Sequence, residues 1–334
     1  MIMFDKETLA VIFVGLMGLS VLMYAILDGY DLGVGMLLPL DNQQHADIMV
    51  ASIGPFWDAN ETWLVLAIGL LLIAFPAAHS LTLKALYLPA TFMLIGLILR
   101  GVAFDFRAKA SFGHRPTWDK LFKLGSLFAA LTQGYMLGMY VNGFDTSLSG
   151  YLFAMLSAIG VSCAYCFIGA TWLVMKTEGE LQLKSIKTAK RTLVIAFIGI
   201  ATVSATNLLF NPDIYAKWFT FPNILFLMPI PIVCGALFAL AFMLLKRLQK
   251  NPHTGAGFPF LLCILIFTLS FAGLGFSFFP YIVPNQLTIW QAVAAPEALN
   301  FLLYGAIVVV PTILMYTAYS YRVFWGKVQE LRYY

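Results

Sequence analysis

Residues 28–37 read DGYDLGVGML and residues 52–64 read SIGPFWDANETWL, each joined to a long apolar stretch. Four carboxylates, Asp28, Asp31, Asp58 and Glu61, therefore lie in segments otherwise apolar enough to enter a bilayer. An acid at the centre of a membrane helix costs about 2.5–3.5 kcal/mol on insertion scales, so it implies a function and a partner. Asp28 and Asp31 are three apart, as are Asp58 and Glu61, so each pair shares a helix face.

The rest of the chain fits that setting. Of 334 residues, 61% are hydrophobic and 11% charged, against about 45–50% and about 25% in soluble domains. The composition excludes a single soluble core and predicts an all-α polytopic integral membrane protein. Runs of about 20 apolar residues span a bilayer core. Nine are present, roughly 8–38, 50–78, 82–106, 120–143, 150–176, 190–210, 222–247, 257–280 and 297–323. No connection is long enough for a soluble domain, so residues 1–334 read as one transmembrane domain. The N-terminus MIMFDKETLA lacks a cleavage pattern, and the first run reads as a permanent helix. Cys163, Cys166, Cys234 and Cys263 all fall in apolar runs, which argues against a disulfide framework. The net charge of +4 lies in loops, and no nucleic-acid partner is expected.

Basic residues set the expected orientation. Arg107, Lys109, Arg115, Lys120 and Lys123 follow the third run, and Lys176, Lys184, Lys187, Lys190 and Arg191 the fifth. Lys246, Arg247 and Lys250 follow the seventh, and Arg322, Lys327 and Arg332 lie in the C-terminal segment. The odd-numbered loops and the C-terminus are thus predicted cytoplasmic and the N-terminus outward, with the acidic first loop (Asp41, His45, Asp47) dissenting. Asp28 and Asp31 then lie near the cytoplasmic end of the first helix. Asp58 and Glu61 are expected two to three turns up the second, roughly 12–17 Å from the surface at 1.5 Å per residue. Arg100, Asp105, Arg107 and Lys109 end the third. This reads as a polar inlet confined to one half of the membrane.

Counting Asp105, five acids are expected to face Arg100 and Lys109, with Arg107 at the interface. They cannot all be ionised in a poorly hydrated site, so at least one holds a proton reversibly, as a relay requires. The competing reading is an ion-pair cluster around Arg100 that fixes helix packing. Asp105 and Lys109, four apart, also fit a plain surface pair. Gly29, Gly33 and Gly35 lack the strand and Lys-Ser/Thr of a phosphate loop and read as close helix packing. Trp57 and Trp63 flank the second acid pair and read as aromatic packing. His45, His114 and His253 are expected in loops and His79 at the outer end of the second helix, so a His-ligated haem within this chain is not expected. Cys163 and Cys166 have metal-site spacing but read as buried small residues in an apolar run.

Taken with LILRGVAFDFRAK (97–109), GATWLVMKTEG (169–179) and FPYIVP…LTIWQAVAAPEAL (280–299), these stretches resemble subunit II of the cytochrome bd-type quinol oxidases. The chain length and the ANETW sequence are similar to the cyanide-insensitive branch. The resemblance implies nine helices, arranged as two four-helix bundles and a peripheral ninth, in a bacterial inner membrane. It implies a heterodimer with a subunit I that carries haem b, haem d where present, and the quinol site, with room for a small single-helix accessory subunit, quinone and lipid. This chain would bind no cofactor or metal by its own side chains. The complex would oxidise quinol and reduce oxygen to water in aerobic electron transport, with this chain contributing a cytoplasmic proton path. Residue matching puts Asp58, Asp105 and Lys109 on that path, with Asp28 and Asp31 close by and Glu61 at a position neutral in the better-known branch. Trp57 and Arg100 match structural or interface positions. Two alternatives remain: a proton- or cation-coupled secondary transporter, which usually shows inverted repeats not seen here, and a purely structural subunit.

Overall fold

The computed structural model describes residues 4–110, 113–252 and 254–328; His253 and Arg332 lie outside the described residues. The chain is almost wholly helical. Its long helices are α1 (Lys6–Leu37), α3 (Trp57–Ala74), α4 (Pro76–Lys109), α5 (Arg115–Val141), α6 (Leu148–Lys176) and α7 (Gly179–Phe210), then α10 (Pro229–Leu248), α11 (Phe258–Phe278) and α13 (Pro296–Val323). Short helices α2 (Gln43–Ile53), α8 (Pro212–Phe219), α9 (Asn223–Leu227) and α12 (Ile289–Ala292) and a two-stranded hairpin, β1 (Tyr281–Val283) with β2 (Leu287–Thr288), fill the connections. Among the described residues, eight helices are long and apolar enough to cross a membrane. The long helix outside that set is α5, where Gly, Ser, Thr, Gln and Tyr dilute the apolar residues.

Two boundaries differ from those expected. The second apolar run is not one helix: α2 ends at Ile53, a turn through Gly54, Pro55 and Phe56 follows, and α3 starts at Trp57. Pro55 has no N–H to continue the helix of α2. Asp58 consequently sits in the first turn of α3, where the helix dipole favours an acid, and not two to three turns inside a span. The same run breaks again at Phe75, whose non-helical backbone precedes Pro76 at the start of α4. His79 thereby belongs to α4 and His45 to α2, not to the second span's end and a loop. Residues 281–292 form the hairpin and the capped α12, with Thr288 and Gln291 closing a capping box.

The core is built around α1, which packs on α3, α5, α6 and α11, while α4–α5, α5–α6, α6–α7 and α10–α11 are the other extensive contacts. Small residues let these helices approach closely, as expected where lipid gives no hydrophobic drive to associate. A Cβ on Gly125 of α5 would stand 2.8 Å from both the Arg100 nitrogen and the Gly96 oxygen of α4. The hairpin and α12 bury Ile282, Val283, Ile289 and Ala292 against Leu9, Phe13, Phe75 and Leu299. They are tied down by Tyr140 donating to the Ile282 carbonyl (2.6 Å) and the Ala294 N–H to the Ala74 carbonyl (2.9 Å). Helix α13 is largely exposed but pinned at both ends, by Asn300 on the backbone of Phe4 and by Tyr321 in the core.

Candidate functional site

The last three turns of α1, the first turn of α3 and the last third of α4 meet at one end of the molecule. Asp28 of α1 receives a hydrogen bond from Arg100 Nη1 at 2.6 Å, and both side chains are fully buried. Asp31, also fully buried, accepts from Asn60 Nδ2 at 2.8 Å. The same Asn60 nitrogen donates to the Tyr30 hydroxyl at 2.9 Å. Tyr30 and Tyr321 hydroxyls share a hydrogen bond at 2.6 Å, and Tyr321 reaches Asn60 Oδ1 at 3.5 Å. Among the described residues, Asp28 Oδ2, Asp31 Oδ1 and Arg100 Nε and Nη2 have no hydrogen-bond partner. The cluster therefore retains both acceptor and donor capacity in an enclosed place.

Aromatic rings seal it. Trp57 lies against Phe104 (4.7 Å between ring centroids), with the Arg100 guanidinium 5.7 Å from its centroid. Tyr30 stacks on Trp172 at 4.2 Å and Phe56 stacks on Tyr321 at 4.5 Å. Lys176, at the end of α6, donates to the Phe324 carbonyl at 2.6 Å and lies over the rings of Trp172 and Phe56. A second polar chain crosses behind: Tyr165 donates to Gln133 (3.0 Å), which donates to Tyr24 (2.6 Å), one turn before Asp28.

The five acids do not converge on Arg100 and Lys109 as expected. Asp28 and Asp31 point inward, whereas Asp58, Asp105 and Lys109 are exposed on the surface of this chain. Among the described residues, Asp105 and Lys109 form no ion pair with each other, so the surface-pair reading fails too. Glu61 is half-buried between the two groups, within electrostatic reach of Arg100, Asp28 and Asp58. Arg107 is buried and paired with Asp119 and, at 2.7 Å, with Asp47. Gln43 donates to the other Asp119 oxygen at 2.9 Å, and Arg115 reaches Asp47 at 3.7 Å. This knot joins α2, α4 and α5 and accounts for the acidic first loop, because Asp47 answers cations of the neighbouring segment.

Asn60, Tyr30, Tyr321 and Asp119 were not singled out by sequence. Asn60 carried a signal, being an amide between Asp58 and Glu61 in an apolar run, and a buried amide requires partners. Tyr321 carried none, since its partner Tyr30 is 291 residues away. Among the described residues no three His, Cys, Asp or Glu side chains converge to hold a metal. The half-buried His45 and His79 and the exposed His114 lie near helix starts.

Comparison with known proteins agrees with this architecture. Cytochrome bd-I ubiquinol oxidase subunit 2 of Escherichia coli (strain K12) is 29% identical, across 98% of this chain and 97% of its own length. Cytochrome bd ubiquinol oxidase subunit 2 of Bacillus subtilis (strain 168) is 25% identical, across 96% of this chain and 95% of its own. A chain in the structure of bd oxidase from Geobacillus thermodenitrificans superposes with a TM-score of 0.78 at 20% identity, covering 95% of this chain and 99% of that one. The sequence profile described as cytochrome bd terminal oxidase subunit II matches residues 9–324, a span that contains every element of the buried cluster from Tyr24 to Tyr321; this chain belongs to that family.

Proposed function

We propose that this chain is the haem-free, proton-conducting subunit of a quinol:oxygen oxidoreductase in a bacterial cytoplasmic membrane. Haem b, haem d where present, and the quinol site belong to subunit I, its partner in a heterodimer. The named relatives act on ubiquinol, and a quinol is taken as the substrate class here. Nine spans, α5 included, with the N-terminus outward, put the cluster at the cytoplasmic end. Two four-helix bundles with α13 at the periphery complete this reading.

One observation carries the reading: exposed carboxylates Asp58 and Asp105 lie on membrane helices of the isolated chain, with half-buried Glu61 and the Asp28–Arg100 and Asp31–Asn60 pairs behind them. Asp58 in the first turn of α3 and Asp105 about one turn from the end of α4 lie exposed at the helix ends nearest the buried pairs, and we assign that face to the subunit I interface. Protons taken up from the cytoplasm past Lys109 and Asp105 would pass Asp58 toward the oxygen-reducing haem. Glu61 and the buried cluster would set the local charge and store a proton at a carboxylate oxygen.

Asp58→Asn tests this. Asp58 is exposed and unpaired among the described residues, so the change is expected to leave assembly and haem content intact. Quinol oxidase turnover should fall about tenfold or more, equivalent to ~1.4 kcal/mol in barrier. Wild-type turnover in that variant would remove Asp58 from the path. Insensitivity at Asp105 and Glu61 as well would make the chain a purely structural subunit.

A further inference from the structure

At the end of α7 that faces the end of α10 lies a groove of about 630 Å³. Lys187, Lys190 and Arg191 line its outer part; Val194, Ile195 and Phe242 line the rest, and Gln249 closes one side. Residues 187, 190, 191 and 194 follow the i, i+3, i+4, i+7 spacing of a single helix face. From Lys187 to Ile195 the wall descends roughly 12 Å, at 1.5 Å per residue, from cations to apolar groups.

The positive charge is uncompensated. Among the described residues none of the three cations has a carboxylate within 4.0 Å; the nearby ion pair, Lys184 with Glu180 at 2.7 Å, involves none of them. Lys190 is half-buried, donating to Gln249 Oε1 at 3.1 Å and lying 5.4 Å from the centroid of the Phe242 ring. Lys246, Arg247 and Lys250 add further cations at the adjoining end of α10. Val194, Ile195 and Phe242 are 44%, 48% and 38% exposed beneath them. A soluble anion would satisfy the cations and leave this apolar wall bare.

We propose that the α7–α10 groove binds an anionic phospholipid, its phosphate held by Lys187, Lys190 and Arg191 and its acyl chain laid on Val194, Ile195 and Phe242. Basic pockets between membrane helices at the headgroup level recognise such lipids by this division of charge and oil. The site lies on α7 and α10, whereas the Asp28–Arg100 pair lies on α1 and α4, and it is independent of the proton path.

The test uses the solubilised complex as purified, with phosphatidylglycerol or phosphatidylcholine carrying a photoreactive acyl chain. Phosphatidylglycerol is expected to label peptides containing Val194–Ile195 or Phe242 about tenfold more than phosphatidylcholine, the factor that ~1.4 kcal/mol of headgroup recognition gives. The triple change K187Q/K190Q/R191Q should bring the labelling down to the phosphatidylcholine level. Equal labelling of wild type by both lipids would overturn the proposal in favour of ordinary boundary lipid. Loss of the phosphatidylglycerol signal in millimolar inorganic phosphate would overturn it in favour of a soluble anion. Should the triple variant fail to assemble, Lys190→Gln alone and the wild-type headgroup comparison decide the matter.

Discussion

Arg100→Met is expected to destabilise the assembled protein by about 3–5 kcal/mol, the range for breaking a buried ion pair from one side. Arg100 and Asp28 are both fully buried and 2.6 Å apart, so the substitution strands a carboxylate with no other cation in contact among the described residues. The guanidinium also carries the Trp57 ring, which rests on Phe104 and Gly101 of the same helix. Losing it loosens α3 from α4 as well as α4 from α1. The measurement is thermal unfolding of the purified complex, followed by haem release. Adding Asp28→Leu to Arg100→Met should recover more than half of the loss, because removing both charges leaves an apolar contact. Asp31 keeps its bond from Asn60 in that double variant. A single variant that melts with the wild type would show that the pair does not hold the helices together.

Much of the fold was legible because membrane helices announce themselves by length and apolarity. The gathering of charge at one end was legible too, since alternating helix direction brings the end of α1, the start of α3 and the end of α4 together. Which way each acid points was not. The spacing of Asp28 with Asp31 and of Asp58 with Glu61 says that each pair shares a face, but not whether that face meets protein or the outside. In a soluble protein the apolar stripe would decide it. Here lipid is as apolar as the core, so both sides of α1 and α3 read alike. The break at Gly54–Phe56 was masked for the same reason: an apolar run continues across a turn without changing character. The pairing of Arg107 was not legible because its partners, Asp47 and Asp119, are 60 and 12 residues away, and sequence spacing only pairs charges within a helix.

Gly29, Gly33 and Gly35 were read correctly as packing residues, and Gly33 gives the second large effect. Its Cα faces the backbone of α6: a Cβ there would lie 1.9 Å from the Tyr165 carbonyl oxygen, 2.7 Å from its carbon and 3.0 Å from the Gly169 Cα. The obstruction is backbone from both sides, with Gly169 equally tight against Gly33, so no rotamer change relieves it. Helices α1 and α6 must separate. Overpacking costs about 1–3 kcal/mol when side chains can yield, and Gly33→Ala is expected at or above the upper end of that range. Separation also carries Asp28 and Asp31 away from Arg100 and Asn60, and Tyr165 away from Gln133. Turnover should therefore fall well below the melting temperature, not only near it. Gly15→Ala on the same helix is the control: nothing lies within 4 Å of its added methyl, and replacing a mid-helix glycine removes about 0.5–1 kcal/mol of backbone entropy cost. It should match or slightly exceed the wild type in melting and equal it in turnover. If Gly33→Ala melts with Gly15→Ala, the α1–α6 contact in the assembled oxidase is wide enough to admit a methyl group, and the cluster does not depend on it for position.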